Sequence, residues 1–473
     1  MMQRKYVYLL TIGCQMNVYD SDLMAEELWK CGYHRTDDIK QADLILVNTC
    51  SVREKAEQKV FSFLGRLAGM KRKNPQLIIG VAGCVAQQEG KRIFSRVPVV
   101  DFVLGTRAIG RLPDLIQKIE RTGNRLADLD MTGDGQPVSH DRRSSDRETV
   151  SGFVTIMRGC DNFCTYCVVP YVRGREISRP PEEIVAEIRS RVAAGMREVT
   201  LLGQNVNSYG KKQGLCSFPE LLARVNDMEG LWRLRFTTSH PKDLSDGLVE
   251  AFGALSKLCH HMHLPVQSGS NRILARMNRH YTREGYCEKV EKLRRKCPDI
   301  AITADMIVGF PGETRTDFEA TLDLVREIEF DGLFAFAYSD RPNAPAADLP
   351  DKVSEGERHE RLLELLDLQE TYTSKKNQAL IGKTVSVLVE GFGKQQEPNA
   401  VKPEAVPGTQ WTGRTSANKI VHFYAEESSC AGNLIGAMVD VRIEKAHSHS
   451  LLGKPVKVIS SNSRKEGEKT HAA

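Results

Sequence analysis

Residues 158–167 read Arg158-Gly159-Cys160-Asp161-Asn162-Phe163-Cys164-Thr165-Tyr166-Cys167. Three cysteines in C-x3-C-x2-C spacing stand on a loop directly after an apolar run, Phe153 to Met157, that reads as a strand. A loop this short can aim three sulfurs at one small object. Three thiolates on a four-iron cluster leave one iron open to something that is not protein. Zinc is the competing metal, but zinc sites usually show paired C-x2-C units with a fourth ligand nearby, and none is evident here. The stretch therefore predicts Cys160, Cys164 and Cys167 as iron–sulfur ligands.

Outward from this loop, strand candidates recur at Glu198 to Leu202, Trp232 to Thr237, His260 to Val266, Ile300 to Val308 and Leu333 to Ala337, each followed by a helical pattern. Six βα units predict a partial (β/α)6 barrel with the cysteine loop at its carboxyl face and a lateral opening for a large substrate.

Toward the N-terminus the alternation continues in another form. Tyr6 to Thr11, Asp43 to Asn48 and Leu77 to Ala82 are near-continuous apolar runs, with helical stretches at Ser21 to Trp29 and Val52 to Met70. Such strands belong to a parallel sheet covered on both faces. The runs lead into Gly13-Cys14, Thr49-Cys50 and Gly83-Cys84, so the cysteines lie 36 and then 34 residues apart, each just past a strand. Right-handed crossovers would gather them at one sheet edge, where open parallel sheets place ligands. Three buried cysteines that happen to close strands is the plainer alternative. The common placement favours a second three-thiolate site.

After a helix from Ser354 to about Ala379 the pattern changes to short alternating strands at Thr384 to Val389, Ile420 to Phe423 and Met438 to Ile443. These predict a small antiparallel β-barrel. The fold class is thus α/β: an N-terminal open parallel α/β domain, a central partial (β/α)6 barrel and a C-terminal small antiparallel β-barrel. The expected divisions are residues 1–121, a polar linker 122–148, the barrel 149–378, the C-terminal barrel 379–458 and a disordered tail 459–473, with a loop at 392–409.

The 473-residue chain is too long for one ordinary core, and its 41% hydrophobic and 27% charged content describes a globular protein. It shows no apolar run of membrane-spanning length, and its start lacks a signal-peptide stretch, so a cytoplasmic protein with no membrane partner is expected. A net charge of +5 permits a nucleic-acid partner without proving one. In a reducing compartment twelve cysteines need metal or packing explanations. The six outside the two trios, Cys31, Cys216, Cys259, Cys287, Cys297 and Cys430, read as core or incidental residues.

The compact cysteine loop and the six-unit barrel resemble the radical S-adenosylmethionine superfamily. The resemblance implies that the open iron chelates S-adenosylmethionine, which is cleaved reductively to a 5'-deoxyadenosyl radical. It also implies cofactor contacts: Tyr166 against adenine, Gln204 in Leu201-Leu202-Gly203-Gln204-Asn205 near the methionine portion, and Gln267 and Ser268 near the ribose. Gly309 and Glu313, in Asp305-Met306-Ile307-Val308-Gly309-Phe310-Pro311-Gly312-Glu313, match the glycine-rich adenine-side segment. Gly309 and Gly312 read as places where a backbone could approach a ligand closely.

Over nearly its whole length the chain resembles the methylthiotransferase family. Thr11-Ile12-Gly13-Cys14-Gln15-Met16-Asn17 and Asn48-Thr49-Cys50-Ser51-Val52-Arg53-Glu54-Lys55-Ala56 look like the branch that acts on isopentenyladenosine in tRNA. That resemblance implies two 4Fe-4S clusters, on Cys14, Cys50, Cys84 and on Cys160, Cys164, Cys167. It implies S-adenosylmethionine as radical source and methyl donor, and methylthiolation of C2 in N6-isopentenyladenosine-37. Partners would be that tRNA, an electron donor and a sulfur source; oligomeric state is open. A sibling acting on threonylcarbamoyladenosine-37 or a ribosomal protein is the alternative, followed by an electron-transfer protein or a tRNA-binding protein with structural metals. The C-terminal barrel resembles the TRAM RNA-binding module, with Trp411, Arg414, Lys419, His422, Phe423 and Tyr424 as mixed RNA-contact or core candidates. Asp340, Asn343 and Ala344 depart from the family pattern, where Pro, Gly and Thr are common.

Overall fold

The computed structural model describes residues 4–51, 54–132, 149–393, 409–424 and 433–460. Cys430, the greater part of the expected linker and 392–409 loop, and all but the first two residues of the expected tail lie outside these.

The N-terminal sheet contains β1 (Lys5–Ile12), β2 (Tyr33–Arg35), β3 (Leu44–Thr49), β4 (Ile78–Gly83), β5 (Phe102–Leu104) and β6 (Leu126–Asp128), all parallel in the order β2-β1-β3-β4-β5-β6. Every residue of β3 and β4 is buried, as expected of central strands covered on both faces. One face packs on α1 (Gln15–Lys30), through Met16, Tyr19, Leu23 and Leu28. The other packs on α2 (Glu54–Lys73), through Val60, Leu64 and Leu67. Three of the six strands escape sequence reading because each is only three residues long, too short to show a period. One of them, β6, corrects the linker expected from residue 122: this stretch begins by adding a strand to the sheet, where Asp128 holds Arg111 at 2.7 Å.

The central region carries β7 (Ser151–Thr155), a short antiparallel hairpin of β8 (Met157–Arg158) with β9 (Ile177–Ser178), then β10 (Glu198–Leu202), β11 (Arg233–Phe236), β12 (His261–His263), β13 (Ala301–Val308) and β14 (Gly332–Ala337). The six expected strands form two parallel sheets, β11-β10-β7 and β12-β13-β14, linked by a single bridge between Leu234 and Leu258. Among the described residues β7 and β14 are not paired, so the barrel stays open on one side. One apolar core, including Val154, Leu201, Leu234, Met262, Met306 and Val308, joins both half-barrels.

Helix Glu355–Gln378 leads into a closed barrel of β15 (Thr384–Phe392), β16 (Gln410–Arg414), β17 (Ile420–Tyr424), β18 (Met438–Ala446) and β19 (Leu451–Ser460). Its pairings are antiparallel except β17 with β19. Trp411 and Phe423 are fully buried and form its core, so these two RNA-contact candidates are packing residues. Arg414 and Lys419 are also engaged within the protein: the first reaches Asn418 Oδ1 at 3.2 Å, the second Asn377 Oδ1 at 2.8 Å.

The C-terminal barrel docks on the amino ends of the central strands. Arg233 donates to the carbonyl oxygens of Arg414 (2.5 Å) and Ser386 (2.9 Å), and Arg235 to those of Ser416 (2.7 Å) and Thr415 (2.6 Å). Both arginines are buried, and Glu198 pairs with Arg235 at 2.9 Å.

Candidate active site

Strand register explains the dispersed cysteines. Ile12 pairs with Thr49, and Thr49 with Gly83, so the ends of β1, β3 and β4 are level. Cys14, Cys50 and Cys84 follow those aligned residues by one or two positions. Two glycines allow the loops to close. A Cβ on Gly13 would lie 2.6 Å from Cys50 Cβ, and Gly83 has a φ of +92° with Asn48 Oδ1 and the Thr49 carbonyl where a side chain would go. Beneath the trio lies a buried polar network. Asn17 donates to Asn48 Oδ1 and to the Thr49 carbonyl, both at 3.0 Å, while Asn48 donates to the Asn17 carbonyl (2.8 Å) and Ser21 Oγ (2.9 Å). The thiol of Cys14 donates to Asn17 Oδ1 at 3.3 Å.

A hydrogen bond with the Cys50 side chain pulls the Cys14 thiol down to about 6, against the effect of burial and aided by the charge of Arg173. Burial pushes Cys84 up, opposed by the same arginine.

The compact loop is held on all sides. Gly159 N–H donates to Gln204 Oε1 (2.5 Å), Cys160 N–H to the Gly174 carbonyl (3.2 Å), and Thr165 N–H to the Met277 carbonyl (3.1 Å). Asn278 Nδ2 donates to the carbonyls of Asn162 (3.3 Å) and Phe163 (3.0 Å). Arg279 is buried and donates to Cys164 Sγ (3.3 Å), Tyr166 Oη (3.1 Å) and the Pro265 carbonyl (2.7 Å). His240 Nε2 stands 4.0 Å from Cys164 Sγ, and its Nδ1 accepts from Lys242 N–H at 3.2 Å. Burial, then Arg279, holds the ring neutral with a pKa near 2, so its proton sits on Nε2 and faces the sulfur. Burial also raises Cys160 to about 11 and Cys167 to about 12. Such thiols ionise when a cationic partner binds. Neither Arg279 nor His240 was visible in the sequence, because nothing local distinguishes them from other basic residues.

The donor sets fit clusters better than single ions. A tetrahedral zinc with Zn–S of about 2.3 Å needs sulfurs about 3.8 Å apart. Among the described residues, the group whose ligand atoms all fall within 4.8 Å of one another is His260, Cys297 and Asp299; neither trio is that tight. Polynuclear iron–sulfur ligands stand wider. Of the other cysteines, Cys259 and Cys297 are buried, and Cys31, Cys216 and Cys287 are half-buried against the cores.

The remaining expected contacts all lie near the carboxyl ends of the strands. Tyr166 packs beside Met277, Phe310 and Tyr338. Gln267 has a φ of +75° and bridges to β13, and Ser268 Oγ accepts from Ser270 N–H at 3.2 Å. Glu313 accepts from Gly309 N–H and from Arg361, both at 2.6 Å. The space beside Gly309 is filled by the Arg358 stem, and that beside Gly312 by the Arg276 guanidinium, so those glycines accommodate arginines and a positive φ.

The two cysteine sites adjoin. Val168, the residue after Cys167, packs with Val172 and Ala344 against Cys84. Thr106 Oγ1 donates to the Val172 carbonyl at 2.6 Å, and Arg107 to the carbonyls of Arg173 (3.2 Å) and Arg175 (2.8 Å).

An open six-stranded barrel carrying three clustered cysteines at its carboxyl face defines a radical S-adenosylmethionine enzyme, and residues 154–325 match the radical SAM superfamily. Residues 6–105 match the uncharacterized protein family UPF0004, and residues 378–456 the TRAM domain. A radical S-adenosylmethionine methyltransferase from Kitasatospora setae has a similar fold, with a TM-score of 0.54 at 15% identity over 73% of this chain and 74% of that one. The tRNA-2-methylthio-N(6)-dimethylallyladenosine synthase of Desulfosudis oleivorans is 54% identical over 456 residues, 96% of this chain and 97% of that one. Those of Syntrophus aciditrophicus and Geobacter sulfurreducens are 51% and 49% identical, each over 96% of this chain and 95% and 98% of theirs. The chain belongs to the tRNA-2-methylthio-N(6)-dimethylallyladenosine synthase family. Its superfamily uses S-adenosylmethionine with a 4Fe-4S cluster.

Proposed function

We propose that this protein methylthiolates C2 of the adenine in N6-isopentenyladenosine-37 of tRNA, giving 2-methylthio-N6-isopentenyladenosine. The observation that carries this reading is the level register of β1, β3 and β4, which sets Cys14, Cys50 and Cys84 at one edge of the sheet, with Cys84 packed against the chain leaving Cys167. Two cluster sites side by side suit a reaction that must open a C–H bond and deliver sulfur to the same carbon. C2–H offers no acidity to a base, so proximity and a radical source are what a protein can contribute.

Cys160, Cys164 and Cys167 would hold the radical-generating 4Fe-4S cluster, and Cys14, Cys50 and Cys84 a second one that carries sulfur. With S-adenosylmethionine, these groups supply hydrogen-atom abstraction at carbon and a methylated sulfur. The protein's own part is electrostatic and steric. Arg279 and His240 direct N–H groups at Cys164 Sγ, at 3.3 Å and 4.0 Å. Tyr166, Gln267, Ser268 and the Gly309 turn would line the S-adenosylmethionine pocket, while Gln204 and Glu313, engaged with Gly159 and Arg361, would shape it through backbone they hold.

In this reading, the N-terminal sheet domain through β6, residues 149–378 and residues 379–458 work as sulfur-delivery, radical and RNA-binding parts. On the C-terminal barrel, exposed Tyr424 and the half-buried His422 remain to meet RNA. Electrons and sulfur come from outside donors. No described helix is long and apolar enough to cross a membrane; we place the protein with its tRNA in the cytoplasm. The threonylcarbamoyladenosine alternative is not favoured, since the relatives above carry the dimethylallyladenosine name.

The test is anaerobic reaction of the reconstituted enzyme with tRNA bearing isopentenyladenosine or threonylcarbamoyladenosine, read by nucleoside mass spectrometry. A methylthio product only from the first is expected; product only from the second would overturn the substrate.

A further inference from the structure

The inward face of β12, β13 and β14 is not built like a core. Met262, Ile302, Ala304 and Met306 belong to the apolar core under the helices, and Leu333 and Ala335 pack against it. The alternate positions, His261, His263, Thr303, Asp305 and Phe334, face the other way, into the open barrel, and none of them is fully buried. Closed barrels of this type fill that space with layers of branched apolar side chains. Here it holds a polar ladder instead. Thr303 Oγ1 stands 3.2 Å from His261 Nε2 and 3.1 Å from His263 Nδ1, and His263 Nε2 stands 3.5 Å from Asp305 Oδ1. A hydroxyl has a single proton, so Thr303 donates to one ring and accepts from the other, which ties both histidines into one chain.

Phe334 closes this ladder. Its ring meets that of His263 edge to face, with centroids 5.9 Å apart at 78°, yet the residue stays 52% exposed. Asp305, its partner in the register of β13 with β14, has a side chain 32% exposed. Both border the open side of the barrel, where β14 is the last strand of its sheet. Val308 and Ala337, three residues further on, pair at the carboxyl ends of the same strands, so ring and carboxylate sit roughly 10 Å below the rim that carries the compact cysteine loop. An exposed aromatic face beside a hydrogen-bond acceptor suits a flat heterocycle with an N–H on its edge. Enzymes that act on a base draw it out of its stack into a pocket and hold it by stacking and edge contacts.

We propose that Phe334 is the stacking platform for the tRNA adenine that is modified, with Asp305 accepting from the N–H at its N6 edge and His263 and Thr303 holding both groups in place. The inference rests on the reading that the substrate is N6-isopentenyladenosine-37 in tRNA.

The test is a binding cycle with the anaerobically reconstituted full chain and two anticodon stem-loop RNAs, one bearing isopentenyladenosine at position 37 and one an abasic site there. Phe334→Ala should weaken binding of the first about 5- to 150-fold, the range for one stacked base, and leave the second unchanged. Asp305→Ala should also act on the first RNA alone. Phe334→Trp, which keeps an aromatic face, should retain the wild-type preference for the first RNA; Phe334→Leu, which keeps only bulk, should lose most of it and replaces Phe334→Ala in the cycle if that variant does not fold. Equal losses on both RNAs, or a preference undiminished in Phe334→Ala, would overturn the proposal. If the ring meets the adenine of S-adenosylmethionine instead, Phe334→Ala will raise the S-adenosylmethionine KM for 5'-deoxyadenosine formation without RNA, and the proposal falls. Equal binding of the two RNAs by the unaltered chain would refute the substrate reading and this inference with it, whereas a preference kept by Phe334→Ala refutes the inference alone.

Discussion

Arg279 touches three elements of the compact site at once: the sulfur of Cys164, the phenol of Tyr166 and the carbonyl of Pro265. Replacing it with methionine keeps bulk and removes all three donors, and groups of this kind around metal ligands are commonly worth roughly 10- to 100-fold in affinity or activity. Arg279→Met should therefore lower 5'-deoxyadenosine formation by about that factor, with Arg279→Lys partly restoring it; unaltered formation would show the contacts to be incidental. The six cysteines could be picked out from sequence as candidates because their signal is local, in a loop of eight residues or at the ends of apolar runs. Arg279 and Arg173 could not, since their partners lie 115 and 153 residues away and only the fold brings them together. The glycines at 309 and 312 were legible as special, and the fold adds a reason the sequence could not show: a Cβ there would meet arginine side chains.

At the scale of elements, α1 and helix Pro181–Ala193 are joined by a buried charged cluster. Glu187 accepts from Arg179 (2.8 Å), Arg191 (2.9 Å) and Tyr19 Oη (3.3 Å). Nearby, burial raises the Glu26 carboxyl to about 7. The folded chain thus holds this proton more tightly than the unfolded chain does. Below about pH 4.5 both states are protonated and there is no penalty; as pH rises toward 7 the penalty grows, and above that it is complete, about 1–3 kcal/mol. Glu26→Gln should raise the thermal midpoint at pH 8, with the advantage shrinking by pH 5; an equal gain at both pH values would mean that packing, not ionisation, is responsible. The same scale shows what patterning can reveal. Strands of five or more residues announced themselves in the N-terminal and central sheets, while β2, β5 and β6 did not. The seven-residue strand expected at His260 to Val266 is three residues long, ending before Leu264 and Pro265.

For the whole molecule, the C-terminal module that the sequence divides off at about residue 379 is joined to the central barrel by a buried seam. Arg233 and Arg235 bury their guanidinium groups on four carbonyls of the C-terminal barrel, and Asn377 donates to the His447 and Ser448 carbonyls at 3.0 Å each. Hydrogen bonds from charged groups are each worth about 1.5–3 kcal/mol. Deletion from 379 should consequently lower the thermal midpoint as well as tRNA affinity. Tyr424→Ala, on an exposed strand position, should weaken tRNA binding with the midpoint unchanged. A deletion that leaves the midpoint intact would show the seam to be energetically idle. The C-terminal barrel meets the amino ends of the central strands, whereas the cysteine loops lie at their carboxyl ends, so RNA held by the former must reach along the barrel to the latter. The proposed division of labour between two adjoining three-cysteine sites is tested best at Cys14, the exposed member of its trio. Anaerobically reconstituted Cys14→Ala should still form 5'-deoxyadenosine from S-adenosylmethionine but give no methylthio product on isopentenyladenosine tRNA; normal methylthiolation by that variant would contradict the account.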